Sequence, residues 1–207
     1  MFYSLSLWHS TKKSPSFIVY IPESINKNAK NPWILGLSPA GNGRDLIPAW
    51  KSACDKFGWI LVASNDFRNG IAMSKLEPFL LKTIKIAVKS YPVDPNNLYL
   101  SGFSGGGMGS HMMIDAYPNL IKGIIVNTCS MQGWANVNTY PRNKIAVFIA
   151  SPTDFRYEKM KKDKKLLDDC GWKTKWIEFT GGHRWAPPEK YIQAVEWIKE
   201  IGKLDEI

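Results

Sequence analysis

Short apolar runs alternate along most of this chain with longer segments that have helical character. From residue 33 onward the apolar runs predict strands, bounded at 33–37, 59–64, 98–103, 123–128, 144–151 and 174–179. The segments between and after them predict helices, bounded at 45–57, 74–90, 105–116, 157–170 and 188–202. Because strands and helices alternate, the pattern indicates an α/β fold with a mostly parallel sheet and helices on both faces.

Two earlier apolar segments, 2–7 and 16–21, predict two further strands that would pair as a hairpin. The predicted sheet therefore has about eight strands, of which the early ones are antiparallel. The 207 residues contain no internal repeat and no Pro/Ser-rich linker, so we expect a single domain over 1–207. With 44% hydrophobic and 22% charged residues, the chain is able to build a sizeable core.

Signals for membranes, export and metals are sparse. No apolar run approaches the ~20 residues that a membrane-spanning helix needs, so we expect no membrane span. The segment MFYSLSLWHSTKK lacks the regions of a signal peptide, which indicates a cytoplasmic protein or a mature exported form. Cys54, Cys129 and Cys170 are far apart, which disfavours a zinc site and a disulfide framework.

The formal charge is +9, and its densest part is the lysine run KMKKDKK at 159–165. Such a run is either a patch for nucleic acid or anionic lipid, or the solvated face of a helix. No aromatic interleaving and no nucleic-acid motif accompany it, so we favour the solvated face. We therefore expect no nucleic-acid partner, and the oligomeric state stays open.

Residues 102–106 read Gly-Phe-Ser-Gly-Gly, a G-x-S-x-G sequence between a predicted strand and a predicted helix. A nucleophilic Ser104 at such an elbow needs a strained backbone, and Gly102 and Gly106 would relieve crowding against the neighbouring strand and helix. The helix that starts at Gly105 would direct its free N–H groups at developing negative charge. The alternatives are a plain close-packed turn or a phosphate-binding turn, although no Gly-Lys-Ser/Thr follows.

A serine hydroxyl needs a base, which is usually a histidine oriented by a carboxylate. Of the three histidines, His9 precedes all the later elements and His111 lies on the same predicted helix as Ser104. His183 follows the last predicted strand, where a base would lie at the same sheet edge as the serine. We therefore predict His183 as the base.

Asp154 follows the predicted strand 144–151 by three residues and is the predicted acid. Asp163, Asp168 and Asp169 are rivals, but they lie on the lysine-rich helix and are expected on its solvated face. Asp115 comes too early in the chain.

An oxyanion hole requires two N–H donors. Gly105 would supply one of them, because it directly follows the serine. The loop LSPAGNGRD after strand 33–37 would supply the other from Ala40 or Gly41, since Pro39 has no N–H. A plain turn is the alternative for this loop.

These motifs resemble the α/β-hydrolase superfamily over about residues 17–202, and in particular its phospholipase/carboxylesterase-like and poly(3-hydroxybutyrate) depolymerase/feruloyl esterase-like families. VDPNNLYLSGFSGGGMG is similar to their nucleophile element, LSPAGNGRD to their oxyanion loop, and SPTD and GGHRWAPPE to their acid and histidine loops. One departure is Ser38-Pro39, where these families commonly have His-Gly.

The resemblance implies an α/β-hydrolase fold and a serine esterase with a Ser104–Asp154–His183 triad, which needs no metal or organic cofactor. The expected substrate is a small-molecule or polymeric ester. A serine peptidase of the prolyl-oligopeptidase type, a catalytically inactive binding module and a transferase with another acceptor than water remain as alternatives.

The chain is short for this architecture, so we expect no large lid and a rather open cleft. The longest candidate for a cover is the segment 129–143. Side chains expected to line the cleft are Gly41, Phe103, Met108, Trp134 and Trp185. The acyl and alcohol parts of the substrate, and a preference for esters or thioesters, stay open.

Overall fold

The computed structural model describes residues 2–4, 14–26, 28–131, 133, 135–136 and 138–204. Its centre is an eight-stranded sheet with the strand order β1-β2-β4-β3-β5-β6-β7-β8. The strands, in chain order, are β1 Phe2–Ser4, β2 Phe17–Tyr20, β3 Asn31–Leu37, β4 Ile60–Ser64, β5 Val93–Phe103, β6 Gly123–Asn127, β7 Ile145–Ala150 and β8 Lys173–Glu178.

The early strands are antiparallel and the later ones parallel, as the alternating pattern predicts. β1 pairs with β2, and β2 pairs with β4, in antiparallel register. β3 lies between β4 and β5, and the strands from β5 to β8 follow in sequence order, all in parallel. The carboxyl ends of β3 to β8 therefore meet at one edge of the sheet, where ligand sites of such folds lie.

Helices cover both faces of the sheet, with the bounds α1 Ile47–Phe57, α2 Met73–Ser90, α3 Gly105–Ala116, α4 Tyr157–Asp169 and α5 Pro188–Leu204. The apolar stripes of α1 and α5 pack in one hydrophobic cluster, around Trp50 and Tyr191. Those of α2, α3 and α4 pack in the other, around Trp33 and Phe148. Both sheet faces are thereby buried, which is why the strands read as continuous apolar runs.

Most bounds differ from the predicted ones by one or two residues, and in two segments the type of element differs as well. The segment predicted as a helix over 45–57 starts as a 3₁₀ turn at Gly43–Leu46 and becomes α-helical at Ile47. β5 begins at Val93, although 91–97 reads as a turn, because Val93 pairs with Asn31 before the register shifts. Residues 5–7 of the predicted first strand lie outside the described residues.

The lysine-rich helix α4 turns its lysines to solvent, where Lys161, Lys164 and Lys165 pair with acidic neighbours one turn away. Within the described ranges, no helix has the length and apolar character needed to cross a membrane.

The prediction that Asp163 lies on this solvated face is wrong. Asp163 is buried and accepts a hydrogen bond of 2.7 Å from the Met131 N–H in the segment after β6. Burial raises the pKa of Asp163 to about 6, and the Met131 N–H offsets part of that rise.

Replacing the buried carboxyl group by Asp163→Asn should therefore change how stability depends on pH. Between about pH 4 and 6 the folded protein keeps a proton that the unfolded chain releases, so the wild-type free energy of unfolding falls as pH rises. The variant lacks this loss, and its stability relative to wild type should rise by about 1–2 kcal/mol from pH 4 to 7. Urea unfolding at both pH values measures the difference. The exposed Asp169→Asn on the same helix controls for the lost charge, and equal pH dependence of Asp163→Asn and wild type would contradict the expectation.

Candidate active site

The turn from β5 into α3 holds Ser104 in a strained backbone conformation, with φ 52° and ψ −118°. A positive φ is uncommon for a residue other than glycine and is found mostly where surrounding structure imposes it. Here the Ser104 N–H donates to the Asn127 carbonyl at 3.0 Å, and the Ser104 carbonyl accepts from Met108 N–H at 3.1 Å. These bonds anchor the backbone on both sides of the side chain.

The glycines around this turn are required by close backbone approach. A Cβ atom on Gly102 would lie 2.3 Å from the Gly106 carbonyl carbon, and a Cβ on Gly106 would lie 2.0 Å from the Leu37 carbonyl oxygen. The first distance shows that the end of β5 lies against the start of α3, and the second shows that α3 lies against the end of β3. The crowding expected at these two positions is present.

His183, in the loop after β8, contacts both other members of the predicted triad. Its Nε2 lies 2.9 Å from Ser104 Oγ, and its Nδ1 lies 2.6 Å from Asp154 Oδ2. Both bonds form when Nδ1–H donates to the carboxylate and Nε2 accepts from the hydroxyl. The Asp154 side chain is fully buried, and its other oxygen accepts the Arg156 N–H at 2.7 Å. The arrangement can therefore move a proton from the serine to an oriented imidazole.

The loops carrying the acid and the histidine are tied to each other directly. Ser151 Oγ, at the end of β7, accepts the Gly182 N–H at 2.9 Å, one residue before His183. The Asp154 N–H donates to the Ser151 carbonyl at 2.9 Å. Ser151 thus fixes the spacing between the two loops.

Asn127, at the end of β6, is a second anchor that the sequence analysis missed. The Ala186 N–H and the Tyr191 hydroxyl both donate to its side-chain Oδ1, at 2.8 and 3.0 Å. Since the Asn127 carbonyl also receives the Ser104 N–H, one buried residue connects the serine turn with the histidine loop. A polar residue ending an apolar strand, GIIVN, was the available signal.

The predicted oxyanion loop is held by a chain of hydrogen bonds. The buried Ser38 hydroxyl donates to Asp45 Oδ2 at 2.6 Å and accepts the Ala40 N–H at 3.2 Å. The Gly41 N–H donates to the Ser38 carbonyl at 3.2 Å, which closes a turn. The Ser38 that replaces the common histidine thus takes part in shaping the loop. The Ala40 N–H and the Gly41 N–H each have their partner in this turn at 3.2 Å, the long end of hydrogen-bond distance, and the Gly105 N–H lies at the start of α3.

Aromatic rings surround the imidazole. The ring of Phe103 is 4.8 Å from that of His183 and 5.2 Å from that of Trp185, so these two predicted cleft residues lie together beside it. Phe155, which the sequence analysis did not single out, places its ring 4.7 Å from His183 while 70% exposed. Trp134, also predicted to line the cleft, lies outside the described residues.

The rejected candidates lie elsewhere. His111 is fully buried in α3 with its Nδ1 3.2 Å from the Tyr140 hydroxyl, and burial lowers its pKa to about 3. Asp115 is exposed near the end of the same helix, and His9 lies outside the described residues. Among the described residues, no group of three or more potential metal-ligating His, Cys, Asp or Glu side chains occurs.

No protein-family model and no curated protein sequence matches this chain. Several solved structures are similar to it. An S-formylglutathione hydrolase from Staphylococcus aureus superposes with a TM-score of 0.71 at 12% identity, over 95% of this chain and 96% of its own. An esterase from Rhizomucor miehei superposes with a TM-score of 0.77 at 15% identity, over 99% of this chain and 83% of the esterase. A Bacillus cereus carboxylesterase superposes with a TM-score of 0.72 at 18% identity, over 92% of this chain and 96% of the carboxylesterase.

These similarities show that the chain has the α/β-hydrolase fold, which confirms the expected fold. At such low identities they establish the fold alone, since one fold carries many activities. What the site does must be argued from its own geometry.

The anchoring by Asn127 gives a testable expectation. Asn127→Ala leaves two buried donors, the Ala186 N–H and the Tyr191 hydroxyl, without their acceptor. Each unsatisfied donor should lower the free energy of unfolding by about 1–3 kcal/mol. Because the histidine loop then shifts, kcat measured with a p-nitrophenyl ester as the test substrate should fall about 10- to 100-fold. Tyr191→Phe is the matched control, since it removes one donor but leaves Ala186 bound, and it should change kcat only a few-fold. Equal kcat in wild type and Asn127→Ala, with stability lost, would assign Asn127 a purely structural role.

Proposed function

We propose that the protein is a serine hydrolase that cleaves carboxylic esters through an acyl-enzyme intermediate. The observation that supports this most strongly is the pair of hydrogen bonds on His183, one to Ser104 Oγ at 2.9 Å and one to Asp154 Oδ2 at 2.6 Å. The three solved structures described above are an S-formylglutathione hydrolase, an esterase and a carboxylesterase, which is consistent with the proposal.

In the first half of the reaction, Ser104 Oγ attacks the ester carbonyl carbon while His183 Nε2 takes the hydroxyl proton. Asp154 holds the imidazole through Nδ1 and stabilises the imidazolium that forms. Collapse of the tetrahedral intermediate breaks the bond to the alcohol oxygen, which takes the proton from Nε2. The acyl group then remains on Ser104.

In the second half, water attacks the acyl carbonyl carbon and gives a proton to His183 Nε2. Collapse returns that proton to Ser104 Oγ and releases the carboxylic acid. In both halves the carbonyl oxygen becomes negative, and the N–H groups of Gly105 and Ala40 are the proposed donors to it. The N-terminal end of α3 adds its positive dipole at the same place.

A fluorophosphonate probe tests whether Ser104 is the nucleophile. Wild type should be labelled, and Ser104→Ala should lose both the label and at least about 10⁴-fold in kcat for p-nitrophenyl esters. Ser101→Ala is the matched control, because its buried hydroxyl only donates to the Ile125 carbonyl, and it should be labelled like wild type. Equal labelling of Ser104→Ala and wild type would show that the serine assignment is wrong.

Reactions of the wild-type protein with aryl esters, peptide amides and the fluorophosphonate probe separate the competing functions. An esterase cleaves aryl esters and leaves peptide amides intact, whereas a peptidase of the prolyl-oligopeptidase type cleaves both. A binding module with an inactive site takes no label. Asp154→Asn should lower kcat by about 10⁴-fold if the carboxylate orients the imidazole.

A further inference from the structure

We infer that a groove beside Gly105 binds the acyl chain of the ester and selects apolar chains of medium length; this rests on the proposed function. The groove lies between the loop after β4, the start of α2 and the first half of α3, and has a volume of about 270 Å³. Its apolar lining consists of Phe67, Ile71, Met73, Leu76, Met108 and Met112.

The position of the groove in the sheet separates it from the acid and the base. Ser104 follows β5, and Asp154 and His183 follow β7 and β8 on one side of it. The groove uses the loop after β4, which lies on the other side of β5 beyond β3. An isolated antiparallel bridge between Ala40 and Arg68 places this loop against the proposed oxyanion loop.

The tetrahedral intermediate has four substituents, and three are assigned by the mechanism. One is Ser104 Oγ, the second is the oxyanion, which faces Gly105 and Ala40, and the third is the alcohol oxygen. The alcohol oxygen must take a proton from His183 Nε2, so the alcohol lies on the histidine side. The acyl chain is the fourth substituent and points away from His183, toward the side of the sheet on which Gly105 lines the groove.

The chemistry of the groove also matches an acyl chain, which is polar at its carbonyl end and apolar beyond it. At the Gly105 end the Asn69 amide packs on the backbone so closely that a Cβ on Gly105 would lie 1.8 Å from Asn69 Oδ1. Most of the remaining lining is apolar, with Arg68 as its one charged member, and the large apolar side chain of Ile71 is 42% exposed. Methionines adapt to flexible chains.

The volume limits the chain length. At about 30 Å³ for a group the size of water, the groove holds on the order of nine such groups, and a methylene is of similar size. Acetyl groups leave most of the groove empty, and long fatty acyl chains extend beyond it. Each methylene that becomes buried should raise kcat/KM about two- to fourfold.

Two isomeric esters test the assignment, because ethyl octanoate and octyl acetate contain the same atoms but carry the long chain on opposite sides of the ester group. Wild type should hydrolyse ethyl octanoate with a kcat/KM about tenfold higher or more, measured by proton release in a pH-stat. Equal values, or faster cleavage of octyl acetate, overturn the inference.

Filling the groove should weaken this preference. Ala72→Trp places a large ring in the groove from an exposed position, and Met108→Trp fills it from α3. Each should lower the ratio of kcat/KM for ethyl octanoate over octyl acetate at least fivefold. Ala116→Trp, exposed at the far end of α3, is the matched control and should keep the wild-type ratio.

Fluorophosphonate labelling of Ser104 distinguishes a failure of the groove assignment from a failure of the proposed esterase function. Normal labelling with an unchanged ester ratio in both groove variants overturns the groove assignment alone. Absence of labelling and of ester hydrolysis in wild type overturns the proposed function, and the groove assignment with it.

Discussion

The account depends on one imidazole reaching two partners at once. His183 must keep Nδ1 on Asp154 and Nε2 on Ser104, although 79 residues separate it from the serine and 29 from the acid. No local interaction can bring such distant residues together. The parallel sheet does so, because β5, β7 and β8 end at the same edge and each leads into the loop that carries one of the three side chains.

The strand β6, which lies between β5 and β7, stabilises the positions of the three side chains. β6 separates β5 from β7, and its last residue, Asn127, receives the Ser104 N–H with its backbone and two donors from the histidine segment with its side chain. Ser151 links the acid loop to the histidine loop in the same way. The relative positions of the loops are therefore set by buried hydrogen bonds, which leave little freedom to the side chains they carry.

The parts that follow from local chemistry were predictable from the sequence. The alternation of apolar runs predicted the sheet and its helices, and the glycines flanking Ser104 predicted the close-packed, strained turn between β5 and α3. Asp163 was misplaced because its lysine neighbours mark a solvated face, whereas its burial depends on the Met131 segment 32 residues away. Phe155 and Asn69 were missed for the same reason, since their importance lies in contacts with His183 and Gly105 that no local pattern encodes. The prediction for Trp134 stays a prediction.

The central claim is that a covalent acyl group forms on Ser104. Intact-protein mass spectrometry after rapid acid quench of a reaction with p-nitrophenyl octanoate tests it most directly. The account predicts one added octanoyl group per chain, located on Ser104 by peptide mapping. Ester hydrolysis without any adduct on Ser104, or with the octanoyl group on another residue that is needed for turnover, would contradict it.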